Sequence, residues 1–380
     1  MRVLHTSDWH VGRPFHGRDL LAEQESVLGG LADLVADERV DVVVVSGDLY
    51  DRAVPSAEAV DAGARVLRRI AAAGAKIVVT PGNHDSAPRL GAFAGFAQAG
   101  GLYLRTTIAE LHEPVVIDDV YGPVAFYGIP YLEPELARHA LGDLELRGHA
   151  AVLGEAMRRV KDDLASRQAR SVVLAHAFVI GGETSDSERT IAVGGVPHVP
   201  GSIFAGIDYA ALGHLHGPQT LADHLRYSGS PLAYSFSEIH HRKSVWLVEL
   251  DAGGLAGVER RELPVPRALG KLRGELRDLL TNPAYEPEVE KFLSIELTDK
   301  VRQLDAMRRL RARFPHALHL DWQPEGGRPK ALRYADTVRG RSDEEVACCF
   351  VEDTRNSPPT TTERALLREA LAAVAGKEPE

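Results

Sequence analysis

Three stretches set the architecture of this chain: RVLHTSDWH at residues 2–10, VDVVVVSGD at residues 40–48 and AKIVVTPGNHD at residues 75–85. Each begins with a short apolar run rich in β-branched residues and ends in a polar cluster. The apolar runs predict strands, and four consecutive valines are typical of a strand that is buried on both faces. Helical patterns rich in Ala, Leu, Glu and Arg separate these runs. The alternation predicts an α/β fold in which helices cover a sheet.

The rest of the chain continues this pattern and then changes it. A less regular region precedes a predicted helix at residues 148–168, and further strands are predicted at residues 171–175, 209–212 and 245–250. Pro264 and Pro266 indicate a domain boundary. Beyond it we expect strands at residues 291–297 and 317–322 around an Arg-rich helix at residues 301–314. A polar linker at residues 324–343 and two helices, at residues 344–352 and 360–375, follow.

Composition narrows the classes of protein to consider. No apolar run is long enough to span a bilayer, so we expect a cytoplasmic protein without membrane segments. The 380 residues carry a formal net charge of −10, which argues against a simple nucleic-acid-binding module because such modules usually present a positive surface. A local stripe of arginine would be hidden in that sum.

Polar clusters directly follow five of the predicted strands. They contain Asp8, His10, Asp48, Asn83, His84, His176, His214 and His216. Because ligand sites of open α/β sheets assemble at the carboxyl ends of strands, these side chains are expected to meet at one rim. Their carboxylate, imidazole and amide donors suit Mn, Fe or Zn. Two such cations would share one bridging carboxylate and hold a phosphate between them.

The order of these clusters, Asp-x-His, Gly-Asp, Gly-Asn-His-Asp, His and Gly-His-x-His, resembles the calcineurin-like metallophosphoesterase superfamily over roughly residues 1–250. The resemblance implies a four-layer αββα sandwich and two divalent metal ions, Mn²⁺ above all, with Mg²⁺, Fe²⁺ and Zn²⁺ as alternatives. It implies that one metal is held by Asp8, His10 and His216, that the other is held by Asn83, His176 and His214, and that Asp48 bridges them.

His84 lies beside the ligand candidate Asn83, and the resemblance implies that it acts as general acid or transition-state stabiliser. The alternative is a structural hydrogen bond in the turn. The Asp51 carboxylate is expected to orient the His84 ring. Arg52 is either a phosphate contact or a solvated loop residue, and Arg13 is a further candidate contact to phosphate or DNA.

Residues 1–13, 81–86, 227–231 and 236–238 also resemble the SbcD nucleases. That resemblance implies a subunit for DNA repair and recombination that cuts DNA ends and hairpins, as a 3′–5′ exonuclease on double strands and an endonuclease on single strands. It implies a nuclease domain at residues 1–262, an α+β capping domain at residues 263–340 and a helical segment at residues 341–380 that binds an SbcC-like ATPase. The sequence has no Gly-x-x-x-x-Gly-Lys-Ser/Thr phosphate loop, so any dependence on ATP must come from a second subunit.

Three further expectations concern surfaces. Arg308 and Arg309 lie on the Arg-rich helix and either contact DNA or form a solvated basic face. The apolar residues of the last helix either bind the ATPase or pack on their own domain. Helices near residues 56–73 and 87–97 are expected to form a homodimer contact, since the family dimerises there. Two rival functions are a phosphatase or phosphodiesterase for a protein or small molecule, and a non-catalytic scaffold, which would require missing ligands.

Overall fold

The computed structural model describes residues 1–188, 198–324, 340–355 and 357–375. Most of the predicted linker at residues 324–343 lies outside these ranges. The chain divides into two compact units, Met1–Pro266 and Arg267–Glu380. No helix within the described ranges combines the length and the apolar character that a membrane crossing needs.

The first unit opens with a six-stranded sheet in the order β12-β11-β1-β2-β3-β4. Its strands are β1 (Arg2–Thr6), β2 (Val42–Ser46), β3 (Lys76–Thr80), β4 (Leu102–Leu104), β11 (Ser244–Asp251) and β12 (Gly254–Glu262). β1 to β4 run parallel, and β11 pairs with β1 in the antiparallel sense. The sheet is therefore parallel where its strands carry the motif clusters.

Helices connect the parallel strands of this sheet. They are α1 (Leu21–Asp37), α2 (Ala57–Ala72), α3 (Ala87–Leu90) and α4 (Ala94–Ala99). α2 begins at Ala57 because the Ser56 hydroxyl accepts a hydrogen bond from Ala59 N and so caps the helix. α1 and α2 pack against each other, and α2 contacts β3. The single helix expected near residues 87–97 is instead broken by a 3₁₀ turn at Gly91–Phe93.

A second six-stranded sheet has the order β5-β6-β7-β8-β10-β9. Its strands are β5 (Val115–Asp119), β6 (Gly122–Ile129), β7 (Arg170–His176), β8 (Tyr209–Gly213), β9 (Gln219–Ala222) and β10 (Leu225–Tyr227). β5 and β6 lie in the region that the sequence analysis left irregular, so that prediction was incomplete. β5 shows why: only its alternate residues Val115 and Ile117 are buried, and two aspartates end it.

The two sheets pack face to face over a shared apolar core. Val44 and Val78 of the first sheet and Phe126 and Leu174 of the second are fully buried members of this core. α5 (Pro134–Leu141) and α6 (Gly148–Ala165) cover the outer face of the second sheet and form a second core with it. The predicted four-layer αββα sandwich is thus confirmed.

The second unit contains a parallel three-stranded sheet. Its strands are β13 (Leu269–Gly274), β14 (Phe292–Leu297) and β15 (Ala317–Trp322), and its helices are α7 (Leu276–Thr281), α8 (Ala306–Arg313), α9 (Asp343–Arg355) and α10 (Thr361–Ala375). Leu272, Ile295 and Leu310 belong to its core. α8 begins five residues later than predicted, after Asp305, whose left-handed backbone (φ 53°) is incompatible with continuing helix.

Candidate metal centre

All the motif clusters lie at carboxyl ends of strands. Asp8 and His10 follow β1, Asp48 follows β2, Asn83 and His84 follow β3, His176 ends β7, and His214 and His216 follow β8. The loops after β1 and β2 are joined by main-chain hydrogen bonds from Asp8 N to Gly47 O (3.0 Å) and from His10 N to Asp48 O (2.9 Å). Contacts from His214 N to Asp8 Oδ1 (3.0 Å) and between His176 Nε2 and Asn83 Oδ1 (2.9 Å) join the second sheet to the first, so the motifs of both sheets meet at one rim.

Four of these residues have left-handed backbone. The φ angles are 52° at Asp8, 45° at His10, 53° at Asp48 and 106° at His214. Such conformations cost about 1–3 kcal/mol each in a residue with a side chain and persist only where the surroundings impose them. They turn the chain sharply after each strand, and so bring the side chains toward the centre.

The glycines of the motifs allow the loops to approach closely. A Cβ atom at Gly213 would lie 1.8 Å from Ser46 O, and one at Gly47 would lie 2.2 Å from His176 Nδ1. Neither neighbour is the end of a flexible side chain that could move away. Glycine at these positions is therefore required for the two sheets to meet at the centre.

One group of candidate ligands consists of Asp8, His10 and His216, all buried, with ligand atoms within 4.8 Å of one another. His10 Nε2 lies 3.1 Å from His216 Nε2. Two imidazole nitrogens at this distance either share a proton or direct lone pairs at a common cation. The geometry thus suits a cation held between them.

Asp48 lies between the two halves of the centre. Its Oδ2 is 3.5 Å from His10 Nε2 and 3.4 Å from His176 Nε2. On the far side, Asn83 Oδ1 is 2.9 Å from His176 Nε2 and 3.3 Å from His214 Nδ1. The structure therefore brings together all seven predicted ligands, with Asp48 in the position expected of a bridge.

The donor set also fits cations electrostatically. His176 Nδ1 lies 3.0 Å from the Ser46 carbonyl, and donation to that oxygen leaves Nε2 as an acceptor facing two further oxygens. Burial lowers the pKa of His176, but Asp48 and Asp8 outweigh it and raise that pKa to about 9. Burial likewise opposes ionisation of Asp48, yet His176 and His10 hold its pKa well below the usual range. The contact between His176 and Asp48 therefore favours a positive charge between them, which a metal can supply in place of a proton.

His84 is buried beside this centre. Its ring centroid is 4.5 Å from that of His10, and its main-chain N donates to Asp48 Oδ1 at 2.8 Å. Nδ1 lies 2.8 Å from the main-chain carbonyl of Asp51, whereas the Asp51 carboxylate is 3.7 Å away. Asp51 does contact the ring, but through its carbonyl rather than through the carboxylate that we expected.

Asp85 ends the Gly-Asn-His-Asp motif, and the sequence assigned it no role. Its carboxylate accepts hydrogen bonds from the main-chain N atoms of Leu49 (3.0 Å), Tyr50 (2.9 Å) and Gly82 (3.0 Å). These bonds join the loop after β2 to the loop after β3. Asp85 therefore fixes the relative position of Asp48 and Asn83.

Glu238 and Lys243 form a buried ion pair beneath His216, with side chains 0% and 4% exposed. Lys243 Nζ also donates to His216 O at 2.9 Å. Glu238 lies in a segment that resembles SbcD, but nothing in its spacing indicates contact with His216. Sequence reasoning missed both residues because their partners are remote or main-chain atoms.

The arginine candidates occupy different environments. Arg13 is 16% exposed, donates to Ser187 O at 2.6 Å and lies over the Tyr234 ring. Arg52 is 70% exposed, and its Nε lies 3.7 Å from Oδ2 of the neighbouring Asp51. Arg13 is thus part of the wall beside the centre, while Arg52 is a surface residue near it.

The four arginines of α8 differ in their hydrogen-bond partners and in their exposure. Arg311 Nε donates to Ala317 O (3.1 Å), and Arg313 donates to Leu279 O and Asn282 O (2.8 Å each). Arg308 is 79% exposed and bonds Asp305, and Arg309 is exposed. Arg311 is exposed as well, and Arg313 is partly buried. Arg308 and Arg309 stay candidates for DNA contact, and both lie at the surface.

Comparison with known proteins agrees with this site. Residues 1–218, more than half of the chain, match the family described as calcineurin-like phosphoesterase, and the chain belongs to that family. It is therefore a metal-dependent phosphoester hydrolase. Residues 265–355 match the SbcD C-terminal family, described as "Type 5 capsule protein repressor C-terminal domain". The two matches, in this order, support an SbcD-like nuclease.

Three of the solved structures similar to this chain share 12–14% sequence identity with it. TT1561 of Thermus thermophilus is 14% identical, with 69% of this chain and 98% of that chain covered and a TM-score of 0.41. GAP50, "the anchor in the inner membrane complex of Plasmodium", is 12% identical, with coverage of 86% and 98% and a TM-score of 0.37. A dimetal phosphatase from Danio rerio is 13% identical, with coverage of 70% and 99% and a TM-score of 0.38.

Proposed function

We propose that this chain is the nuclease subunit of a DNA-end-processing complex. It hydrolyses phosphodiester bonds at DNA ends and hairpins, as a 3′–5′ exonuclease on double strands and an endonuclease on single strands. The observation that carries this proposal is the convergence of seven ligand side chains from five strand ends, in a chain that also matches the SbcD C-terminal family. We accordingly propose that the complex acts in DNA repair, recombination and replication in the cytoplasm.

We propose two divalent cations, Mn²⁺ above all, as the cofactors. Asp8, His10 and His216 would hold one, Asn83, His176 and His214 would hold the other, and Asp48 would bridge them. When bound, the two cations would polarise the scissile phosphate and make a water nucleophilic at neutral pH. The protein contributes a fixed set of donors, because each loop is anchored by main-chain bonds and the motif glycines permit its close approach.

His84 is the proposed general acid for the leaving sugar oxygen. Donation from Nδ1 to the Asp51 carbonyl fixes the ring, so that Nε2 is the atom that carries and releases the catalytic proton. Burial among His10 and Asp48 keeps this ring in one orientation. Asp51 is thus proposed to position His84 by its main chain.

The proposed partners are DNA, an SbcC-like ATPase and a second copy of this chain. α10 exposes Leu366 and Val374, which are candidates for the ATPase contact. Val60 of α2 and Phe96 of α4 are exposed on the helices proposed for the homodimer. Arg52, Arg308 and Arg309 are exposed candidates for phosphate contact, and Arg13 lies in the wall of the site.

The test is an assay of linear and hairpin DNA in Mn²⁺ with the intact protein, alone and with its ATPase partner. Asp48→Asn is the matched control because it removes the bridging charge and keeps the side-chain size. We expect cutting by the intact protein and none by the variant. Hydrolysis of p-nitrophenyl esters without any DNA cutting, even with the partner present, would instead establish the phosphatase alternative.

A further inference from the structure

His216 is held by a short segment between β7 and β8, residues 183–188, here called the strap. Ser187 Oγ lies 2.6 Å from His216 Nδ1 and donates to Glu238 Oε1, also at 2.6 Å. Because the hydroxyl proton goes to the carboxylate, the oxygen accepts from His216 Nδ1. The neutral His216 ring then presents the lone pair of Nε2 to the centre.

Glu188 of the strap holds the main chain of the same histidine. Its Oε1 accepts from His216 N at 2.8 Å, and its Oε2 accepts from Ser185 N at 2.7 Å and from Ser185 Oγ at 2.8 Å. One carboxylate therefore ties the strap to the loop after β8.

The strap is anchored outside the centre as well. Glu183 N donates to Gln219 Oε1, Gln219 Nε2 donates back to Glu183 O, both at 2.7 Å, and Asp186 N donates to Ser237 Oγ at 3.0 Å. Lys243 neutralises Glu238 and donates to His216 O. The negative charge of Glu238 is thus balanced by a cation that is itself buried.

The other half of the centre is held differently. His176 Nδ1 faces the main-chain carbonyl of Ser46, and His214 N donates to the Asp8 carboxylate. Neither contact involves the strap. Changes in strap side chains therefore reach His216 directly and leave the contacts of His176 and His214 in place.

We propose that Ser187 and Glu188 are positioning residues for one of the two metal positions, that of Asp8, His10 and His216. Loss of their hydrogen bonds lowers the affinity of this position for a divalent cation and spares the position of Asn83, His176 and His214. The inference rests on the proposed two-cation centre.

The test is titration of the metal-free full chain with Mn²⁺ alone. Calorimetry measures the binding steps, and electron paramagnetic resonance measures whether the bound ions are coupled. The parent is expected to bind two cations and give the spectrum of a coupled pair. Ser187→Ala is expected to weaken one binding step by about 10–100-fold, the usual effect of losing such a supporting bond, and leave the other unchanged. Its spectrum then shows isolated Mn²⁺ at concentrations where the parent shows pairs.

Two further variants make the result specific. Glu188→Gln keeps the side-chain size but weakens the bond to His216 N, and it is expected to act on the same step in a smaller degree. Ser171→Ala is the matched control. Ser171 is also buried, its hydroxyl donates a hydrogen bond to Asp208, and it lies at the end of β7 that is away from the metal centre. In an Asn83→Ala background, which weakens the other position, Ser187→Ala is expected to remove the remaining tight binding.

The outcomes separate the two proposals. A parent that binds no pair of cations overturns the two-metal function itself. A parent that binds two, with Ser187→Ala and Glu188→Gln unchanged or weakened equally at both steps, overturns the role of the strap. A loss of affinity in Ser171→Ala equal to that in Ser187→Ala also overturns it.

Discussion

The metal centre and α8 both concentrate functional side chains, but they hold them in different ways. At the centre, Asp48 Oδ2 lies 3.5 Å from His10 Nε2 and 3.4 Å from His176 Nε2, and the three residues come from separate strand ends. On α8, four arginines share one helix, yet they differ in exposure. Arg313 is partly buried and bonds two main-chain carbonyls, whereas Arg308, Arg309 and Arg311 are exposed. The contrast teaches that position in the topology determines a side chain's role more reliably than its residue type.

The largest effect is expected at His84, whose proposed role as general acid depends on its position after β3. His84→Ala is expected to lower kcat for phosphodiester hydrolysis by about 10²–10⁴-fold, the usual range for loss of a general acid. Bound metal, measured in the same samples, should stay at the parental stoichiometry. An unchanged kcat would leave His84 with only the structural role in its turn.

A second test asks how much the buried ion pair beneath the centre contributes to the free energy of unfolding. Lys243→Met leaves Glu238 buried without its cation and is expected to reduce the free energy of unfolding by about 3–5 kcal/mol. Urea titration of the full chain measures the loss. The double variant Lys243→Met/Glu238→Leu should recover part of it, and a double variant less stable than Lys243→Met would contradict this account.

The smallest effects are expected on α8, where two arginines form a matched pair. Arg313→Ala removes two hydrogen bonds to carbonyls and should destabilise the protein by about 1–3 kcal/mol. Arg308→Ala should change stability by less than about 0.5 kcal/mol, because its ion pair is exposed. If Arg308 contacts a phosphate, its loss should reduce the slope of log K against log salt by about 1. An unchanged slope would show that Arg308 makes no such contact.

The motif-bearing half of the fold could be predicted because its signals are local. β1 to β3, β7 and β8 are short, apolar and buried, and each ends in a polar cluster. β5 and β6 escaped prediction because only alternate residues of β5 are buried, and β6 opens with Gly122 and Pro123, which indicate a turn. Among the described strands, the two pair with each other as a hairpin, and only β6 has a remote partner, β7.

The candidate site divides in the same way. Its seven proposed ligands could be chosen from sequence, because they follow predicted strands and the order of their clusters resembles the calcineurin-like family. Ser187, Glu238 and Lys243 could not, because what places them beside His216 is tertiary packing. The contact between Asp51 and His84 was expected, but the atom that makes it was not, since a main-chain carbonyl has no signature in sequence.

The left-handed backbone at Asp8, His10, Asp48 and His214 has a consequence for protein engineering. Glycine would relieve the backbone strain at each of these positions. A redesign that selected only for thermal stability would therefore replace these four residues first. The proposed metal ligands are thus among the residues that a stability-optimised sequence would replace.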